Sequence, residues 1–266
     1  SYIIYEKGRE KMYNFFAGIG NTSFHMFNKL HLTMVILLIL LSLILFLARR
    51  KLKEFKYKEK VRYVMGTILS LNMIIYYVGM FATNTFNIME DLPLHLCFMT
   101  NFFMIYILFS GNKKLYKIIY FFTFIGPLPA IIWSDLRHTY DVYEFWQFII
   151  CHHLMLLTSL YLLLVLDYKV EFKDMLPAFL VGVIYVVIVN IGNNIFGTNY
   201  IMMTSLPENT LKLYPFLKDI PAIIPLFLVG MLAFLISYIP AYVVNKERIN
   251  EEMQEKENSK FNYKIA

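Results

Sequence analysis

Long apolar blocks alternate with short charged runs along most of this chain. A helix needs about 20 mainly apolar residues to cross the hydrocarbon core of a bilayer. Seven blocks approach or reach this length, near residues 31–48, 62–83, 92–110, 114–133, 146–166, 175–196 and 220–244. The pattern therefore predicts an all-α fold, a polytopic membrane bundle of about seven transmembrane helices.

The fourth block is the least regular of the seven. Gly126, Pro127 and Pro129 interrupt it, and proline inside a helix removes a backbone donor and obstructs the preceding turn. Such a break is tolerated in a membrane only where neighbouring groups or water satisfy the freed carbonyls. We expect this helix to be kinked or broken.

The regions flanking the blocks are polar. Residues 1–30 mix aromatic and charged side chains and predict an interfacial segment, with an amphipathic helix as one form of it. Residues 31–244 form the predicted seven-helix domain. Residues 245–266 predict a polar cytoplasmic tail, either a charge-mixed helix or a disordered end.

The distribution of Lys and Arg predicts the orientation. The loops and tail on one side of the predicted bundle hold 18 of the 25 basic residues, with eight of them in 49–62, and the other side holds 7. Cytoplasmic loops are enriched in Lys and Arg. The amino terminus is thus predicted outside and the carboxyl terminus in the cytoplasm, as an odd number of spans requires.

Composition changes this picture little. Hydrophobic residues make up 58% of the chain, against about 45–50% in soluble domains. The net charge of +6 could suggest nucleic acid, but the basic residues flank spans, so the expected partners are membrane lipids and not nucleic acid. Cys97 and Cys151 both lie in apolar blocks, which argues against a disulfide framework. The oligomeric state stays open.

Polar side chains near the predicted outer ends of the spans are the candidates for chemistry. Polar and ionisable groups inside a membrane are costly and often mark function. Several lie at similar predicted depth, namely His31, His95, His152, His153, Asn190, Asn193 and Asn194. They predict one pocket in the outer leaflet, whereas the structural alternative is that each only snorkels or bonds a neighbouring helix.

Other site chemistries have weaker support. No HExxH motif is present and Glu90 and Asp91 lie at a loop edge, so we predict no metal and no cofactor. Cys97 and Cys151 are possible nucleophiles, although a buried cysteine is often an apolar filler. On a helix, His95 and Cys97 would point in different directions because they are two residues apart.

Several short motifs resemble one family. Leu92-Pro93-Leu94-His95-Leu96-Cys97 resembles the LPLHLC signature of the YwaF-like integral membrane proteins of Gram-positive bacteria and mollicutes, which are related to the transmembrane protein 164 family of animals. Further matches are His31, the segment 148–153, and 197–202 followed by Pro207. The resemblance covers most of residues 25–240.

The resemblance implies a seven-helix bundle and, for the animal branch, acyl transfer between phospholipids. In that branch a cysteine next to the third-span histidine is the proposed nucleophile. Here Leu94 precedes His95 and the nearest cysteine, Cys97, follows two residues later. We therefore expect a mechanism in which histidine activates a hydroxyl or water directly.

Two functions follow from these observations. The first is a cell-membrane enzyme, an acyltransferase, transacylase or lipid hydrolase acting on phospholipid or lipoprotein in the outer leaflet. His95 would be its base, with His152 or His153 as partner. The expected substrate-binding side chains are His31, Asn190, Asn194, Asn199 and Tyr200, with Asn194 or Asn199 polarising the carbonyl. The alternative is a non-catalytic transporter or ligand-binding membrane protein.

Overall fold

The computed structural model describes the backbone of residues 2–265 and the side chains of residues 6–258. Within this range the fold is all-α, with a single isolated bridge between Ser23 and His138 in place of any strand. Ten α-helices follow one another: α1 Tyr2–Phe16, α2 Lys29–Glu54, α3 Lys58–Ala82, α4 Leu96–Ser110, α5 Lys113–Ile125, α6 Pro127–Ile132, α7 Tyr143–Leu164, α8 Met175–Phe196, α9 Glu208–Leu213 and α10 Ile223–Ile265. Short 3₁₀ turns occupy Phe172–Asp174, Tyr200–Met202 and Pro215–Asp219.

Length and composition identify the helices that could cross a membrane. Among the described residues there are six such segments: Lys29–Glu54, Lys58–Ala82, Lys113–Ile132, Tyr143–Leu164, Phe172–Phe196 and Ile223–Asn258. The third predicted block corresponds to α4, which is apolar but has only 15 residues. The chain is thus a multi-pass membrane protein.

The core of the bundle lies around α5. Its aromatic side chains Tyr116, Tyr120, Phe121 and Phe122 are almost completely buried, and they pack among α4, α7, α8 and α10. By contrast, α2 and α8 expose most of their Leu, Ile and Val side chains. Apolar exposure on outer helices fits contact with lipid, because hydrocarbon tails solvate such side chains as well as a protein interior does.

The predicted break in the fourth block is confirmed. Helix α5 ends at Ile125, and α6 starts at Pro127 after Gly126. Gly126 packs against the start of α4, so that a β-carbon there would lie 3.4 Å from the backbone nitrogen of Cys97. The break therefore brings the first turn of α4 against the α5–α6 junction.

The third block starts later as a helix than predicted. Leu92 and Leu94 form a tight turn, in which the Leu94 N–H donates to the Leu92 carbonyl at 2.7 Å. His95 has extended backbone angles (φ −67°, ψ 144°) and precedes the first helical residue, Leu96. His95 is thus a capping residue and not part of the helix, which changes its relation to Cys97.

Each of the two polar ends contains a helix, and residues 17–28 between α1 and α2 are turns and irregular backbone. Helix α1 packs its Phe15 and Phe16 rings against Tyr143 of α7. Helix α10 continues past the last predicted span, and Glu247 pairs with Arg49 at 2.7 Å. Of the two forms predicted for the tail, the helix is the one found.

Candidate functional site

His95 contacts the loop that follows α8. Its Nδ1 accepts the Ile201 N–H at 3.3 Å, and the Tyr200 ring lies edge-on at 5.3 Å. A neutral imidazole has one donor and one acceptor nitrogen. Because Nδ1 accepts here, the neutral ring carries its proton on Nε2. His95 thus presents a donor rather than the free lone pair that a general base needs.

Tyr200 joins this loop to the entrance of α4. Its hydroxyl donates to the Ile88 carbonyl at 2.8 Å and accepts the Leu92 N–H at 3.1 Å. The next residue, Ile201, has a positive φ of 62°, which is unfavourable for a β-branched residue. Such a conformation persists only where its surroundings hold it, and the hydrogen bonds of Tyr200 supply part of that restraint.

Asn193 is the buried asparagine that fixes the loop. Its Oδ1 accepts the Tyr200 N–H at 2.9 Å and the Thr198 hydroxyl at 2.7 Å, while its Nδ2 donates to the Tyr200 carbonyl at 2.8 Å. All of its partners are protein groups. Asn193 is therefore a structural clamp.

The neighbouring asparagines point elsewhere. Asn194 is turned by about 100° from Asn193, as successive helical residues are, and it is exposed. Its Nδ2 donates to the Asn190 carbonyl of the same helix at 2.8 Å. The Asn199 side chain organises the following turn, donating to the Ser205 carbonyl at 3.0 Å and accepting the Thr204 N–H at 2.9 Å. The donors expected from Asn194 and Asn199 are thus engaged with nearby chain.

His31 is fully buried and has both ring nitrogens paired. Its Nδ1 accepts the Phe27 N–H at 2.9 Å, and its Nε2–H donates to the Ile131 carbonyl at 2.8 Å. These bonds connect the start of α2 to the end of α6. We therefore leave His31 out of the candidate site, since its hydrogen-bonding capacity is already used.

His152 and His153 are both buried on α7, and each has one nitrogen engaged. The Nδ1–H of His152 donates to the Phe148 carbonyl at 2.7 Å, and the Nε2–H of His153 donates to the Met34 carbonyl of α2 at 3.0 Å. The remaining nitrogens, His152 Nε2 and His153 Nδ1, have no hydrogen-bond partner in the described part of the chain. The bond of His152 at Nδ1 lies within α7, and its Nε2 keeps a free lone pair.

The thiol of Cys97 lies in the first turn of α4 and is only half-buried. It packs against the buried core cluster that includes Cys151 of α7. The next residue on α4, Phe98, stacks on the Tyr76 ring of α3 with 6.2 Å between the ring centroids. The helix that carries the thiol thus packs beside α3 and α7, and His152 directly follows Cys151 on α7.

Tyr185 also helps to define the surroundings of Cys97. Its hydroxyl donates to the Leu94 carbonyl at 2.8 Å, so that α8 reaches the turn before α4 through this single side chain. Over the rest of its length α8 packs mainly against α5. The turn before Cys97 is therefore in contact with the phenol of Tyr185 on α8.

Asn101 is a polar residue that the sequence analysis did not select. It is completely buried, and neither its Oδ1 nor its Nδ2 has a hydrogen-bond partner among the described side and main chains. A sequence signal was present, because Asn101 is an amide within an apolar block and lies four residues after Cys97. No grouping of three His, Cys, Asp or Glu side chains suitable for a metal occurs within the described range.

Comparison with known proteins gives one match. The sequence model of the TMEM164 family matches residues 26–239, whereas no curated protein and no solved structure matches the chain. The relation to that family, expected from the LPLHLC segment, is confirmed, while the narrower YwaF-like assignment stays a prediction. Since the match extends from α2 into α10, the chain belongs to the TMEM164 family of membrane proteins.

Proposed function

We propose that this protein is an enzyme of the cell membrane that transfers fatty-acyl groups from one lipid to another. The observation that carries the proposal is a half-buried thiol, Cys97, packed beside a helix that holds an unengaged imidazole nitrogen, His152 Nε2. Nucleophilic catalysis needs this pair of groups, a nucleophile and a base that takes its proton. The family membership agrees with a membrane location.

The proposed topology has seven spans with the amino terminus outside. Helix α4 serves as a short span, since its 15 residues rise about 22 Å and the turn at Leu92–Leu94 continues the chain toward the surface. The excess of Lys and Arg in 49–62 supports a cytoplasmic position for that loop. This orientation places Cys97 and His95 near the outer head-group boundary, where an ester carbonyl lies.

In the proposed reaction Cys97 attacks the ester carbonyl of a lipid. Its thiol proton passes to His152 Nε2 as the S–C bond forms, and that proton then leaves with the lipid oxygen when the C–O bond breaks. A hydroxyl of an acceptor lipid reverses these steps and takes the acyl group. Unpaired N–H groups at the amino end of α4 would stabilise the negative charge that develops on sulfur as the proton leaves.

The roles of the histidines in this proposal differ from those expected from the sequence. The base is His152 instead of His95, because the Nδ1 lone pair of His95 accepts the Ile201 N–H. His95 positions the first turn of α4 against the loop held by Tyr200. His153 supports α7 through its bond to the Met34 carbonyl of α2.

Lipid would reach the site sideways from the bilayer. Tyr185 bridges α8 to the turn at Leu94, and the apolar outer face of α8 adjoins this bridge. An acyl chain could lie along that face while its ester group reaches Cys97. The expected partners are therefore membrane lipids.

The test is acyl transfer by the purified protein in lipid nanodiscs. Phospholipid with a labelled acyl chain is mixed with an unlabelled acceptor lipid, and labelled product is measured by mass spectrometry. Cys97→Ala should abolish transfer, and His152→Ala should reduce it by about 10²–10⁴, the usual contribution of a general base. Cys151→Ala, a matched thiol control, should retain activity; transfer that survives Cys97→Ala would exclude the proposed nucleophile.

A binding or transport function is the second candidate. The break at Gly126, which packs against the first turn of α4, supports it because broken helices line the binding sites of many transporters. Stoichiometric retention of a lipid or small molecule by the wild type, with no acyl turnover on any phospholipid, would favour this function.

A further inference from the structure

Asn101 is the most unusual buried group outside the residues given a role above. It is fully buried in the middle of α4, and both polar atoms of its amide lack a partner within the described residues. An amide buried in this way forgoes its hydrogen bonds to water without replacing them. Each such group in a folded protein calls for an explanation, and a ligand that supplies the missing partner is one.

The position of Asn101 relative to Cys97 restricts what that ligand could be. Residues four apart lie on the same face of an α-helix, one turn above the other. Side chains on a helix lean toward its amino terminus. The amide of Asn101 therefore leans toward the turn that carries the thiol.

None of the described protein groups around Asn101 pairs with its amide. Helix α4 packs against α3, α5 and α7. On its own helix the next buried side chains are Met104 and Ile107, which are apolar, and the adjacent Thr100 donates its hydroxyl to the Leu96 carbonyl at 2.7 Å. On α7, His152 Nε2 is an unpaired acceptor with no proton to give, and the hydroxyls of Thr158 and Ser159 are unpaired too, so that none of them bonds Asn101.

We infer that Asn101 is a catalytic residue that donates its Nδ2–H to the carbonyl oxygen of the acyl group attacked by Cys97. As the S–C bond forms, the carbonyl electron pair moves onto oxygen, and the negative charge is stabilised by this preorganised donor. When the C–O bond breaks, the charge leaves the carbonyl oxygen and the thioester remains. The ligand class is thus a long-chain acyl ester, and the inference rests on the proposed function.

The experiment compares Asn101→Leu and Asn101→Ser with the wild type. Leucine removes the donor and fills the space with an apolar group, so Asn101→Leu should be at least as stable as the wild type. Serine keeps a hydrogen-bond donor on a shorter side chain. The rate of acyl-thioester formation on Cys97 from labelled phospholipid should fall by about 10²–10³ in Asn101→Leu. That fall should appear in kcat with little change in KM, and Asn101→Ser should recover part of it.

Thr100→Val is the matched control, since it removes an equally buried polar group from α4 that is already paired. It should leave the rate of thioester formation within a few-fold of wild type. If the wild type forms the thioester and Asn101→Leu forms it at the same rate, the role of Asn101 is overturned. The proposed function would still stand in that case. Absence of any acyl-Cys97 in the wild type would overturn the proposed function and this inference together. If Asn101→Leu does not fold, Asn101→Ala decides, because it also lacks a donor, and a wild-type kcat in that variant with a changed Tm alone would show a structural role.

Discussion

At the scale of single residues, the hydrogen-bond partner of each histidine separates structural from chemical roles. His31 has both nitrogens paired with backbone groups, and His95 has its Nδ1 paired as an acceptor. His152 donates from Nδ1 and keeps Nε2 free. These differences depend on carbonyl and N–H groups up to 106 residues away along the chain, so no local sequence pattern could have predicted them.

The asparagines of α8 show the same limit of sequence reasoning. Hydropathy identified the segment as a span and marked Asn190, Asn193 and Asn194 as unusual within it. Which of them is buried depends on the rotation of α8 about its axis, and that rotation is set by packing against α5. Small residues contribute to this packing: a β-carbon on Gly182 would lie 3.3 Å from the Phe122 ring.

Asn193→Ala should destabilise the protein, and Asn194→Ala should not. The first change leaves the Tyr200 N–H and carbonyl without partners, at about 1–3 kcal/mol for each group left buried and unpaired. The second removes an exposed contact within one helix and should stay within about 0.5 kcal/mol. Thermal unfolding of both variants in one detergent measures the difference, and equal stability of the two would show that Asn193 is not the clamp.

His31→Leu should lower the melting temperature even though it adds apolar volume. The Phe27 N–H and the Ile131 carbonyl lose their partners, and an unpaired buried group costs about 1–3 kcal/mol. His25→Leu, at an exposed position on the same segment, is the control and should change little. A melting temperature for His31→Leu equal to that of wild type would contradict the pairing described for this ring.

At the scale of elements, the segment before α2 is attached to the segment before α7. The Asp141 carboxylate accepts from the backbone N–H groups of Asn21 and Thr22, at 2.6 and 3.0 Å, and from the Thr22 hydroxyl at 2.5 Å. Slight burial of Asp141 acts in the opposite direction, but these bonds hold the pKa of its carboxyl below the ordinary value. The carboxylate form is thus favoured by folding.

The stabilisation that the Asp141 carboxylate provides should be lost at low pH. Because the pKa of Asp141 is lower in the folded protein, its stabilisation is present above the unfolded pKa of about 3.9 and is lost as the pH falls through the folded value. Asp141→Asn should therefore be less stable than wild type at pH 7, and the difference should shrink below about pH 4. Melting temperatures across pH 3–7 test this, and a difference that grows toward low pH would contradict it.

The sequence predicted the elements better than their ends. The break near Gly126 followed from the known effect of glycine and proline on a helix. The start of α4 did not, because the tight turn at Leu92–Leu94 and the extended backbone of His95 are stabilised by the distant loop at Tyr200. That shift matters for the site, since it makes His95 a cap and puts Cys97 in the first turn.

At the scale of the whole molecule, the proposed orientation has a direct test. In a background with Cys97 and Cys151 replaced by serine, Met89→Cys should react with an impermeant thiol reagent added to intact cells. Lys56→Cys should react only after the membrane is opened, because the loop 49–62 is proposed to be cytoplasmic. Both positions are exposed in the fold. The reverse labelling pattern would place the site in the other leaflet.

The acyl-enzyme itself is the central claim, and intact-protein mass spectrometry observes it directly. The wild type is incubated with phospholipid, quenched in acid and weighed, and the modified peptide is then sequenced. We expect a mass increase of one acyl chain, located on Cys97, released by neutral hydroxylamine and absent from Cys97→Ala. It should form much more slowly in His152→Ala. An unmodified Cys97 in a protein that still transfers acyl groups would contradict the account.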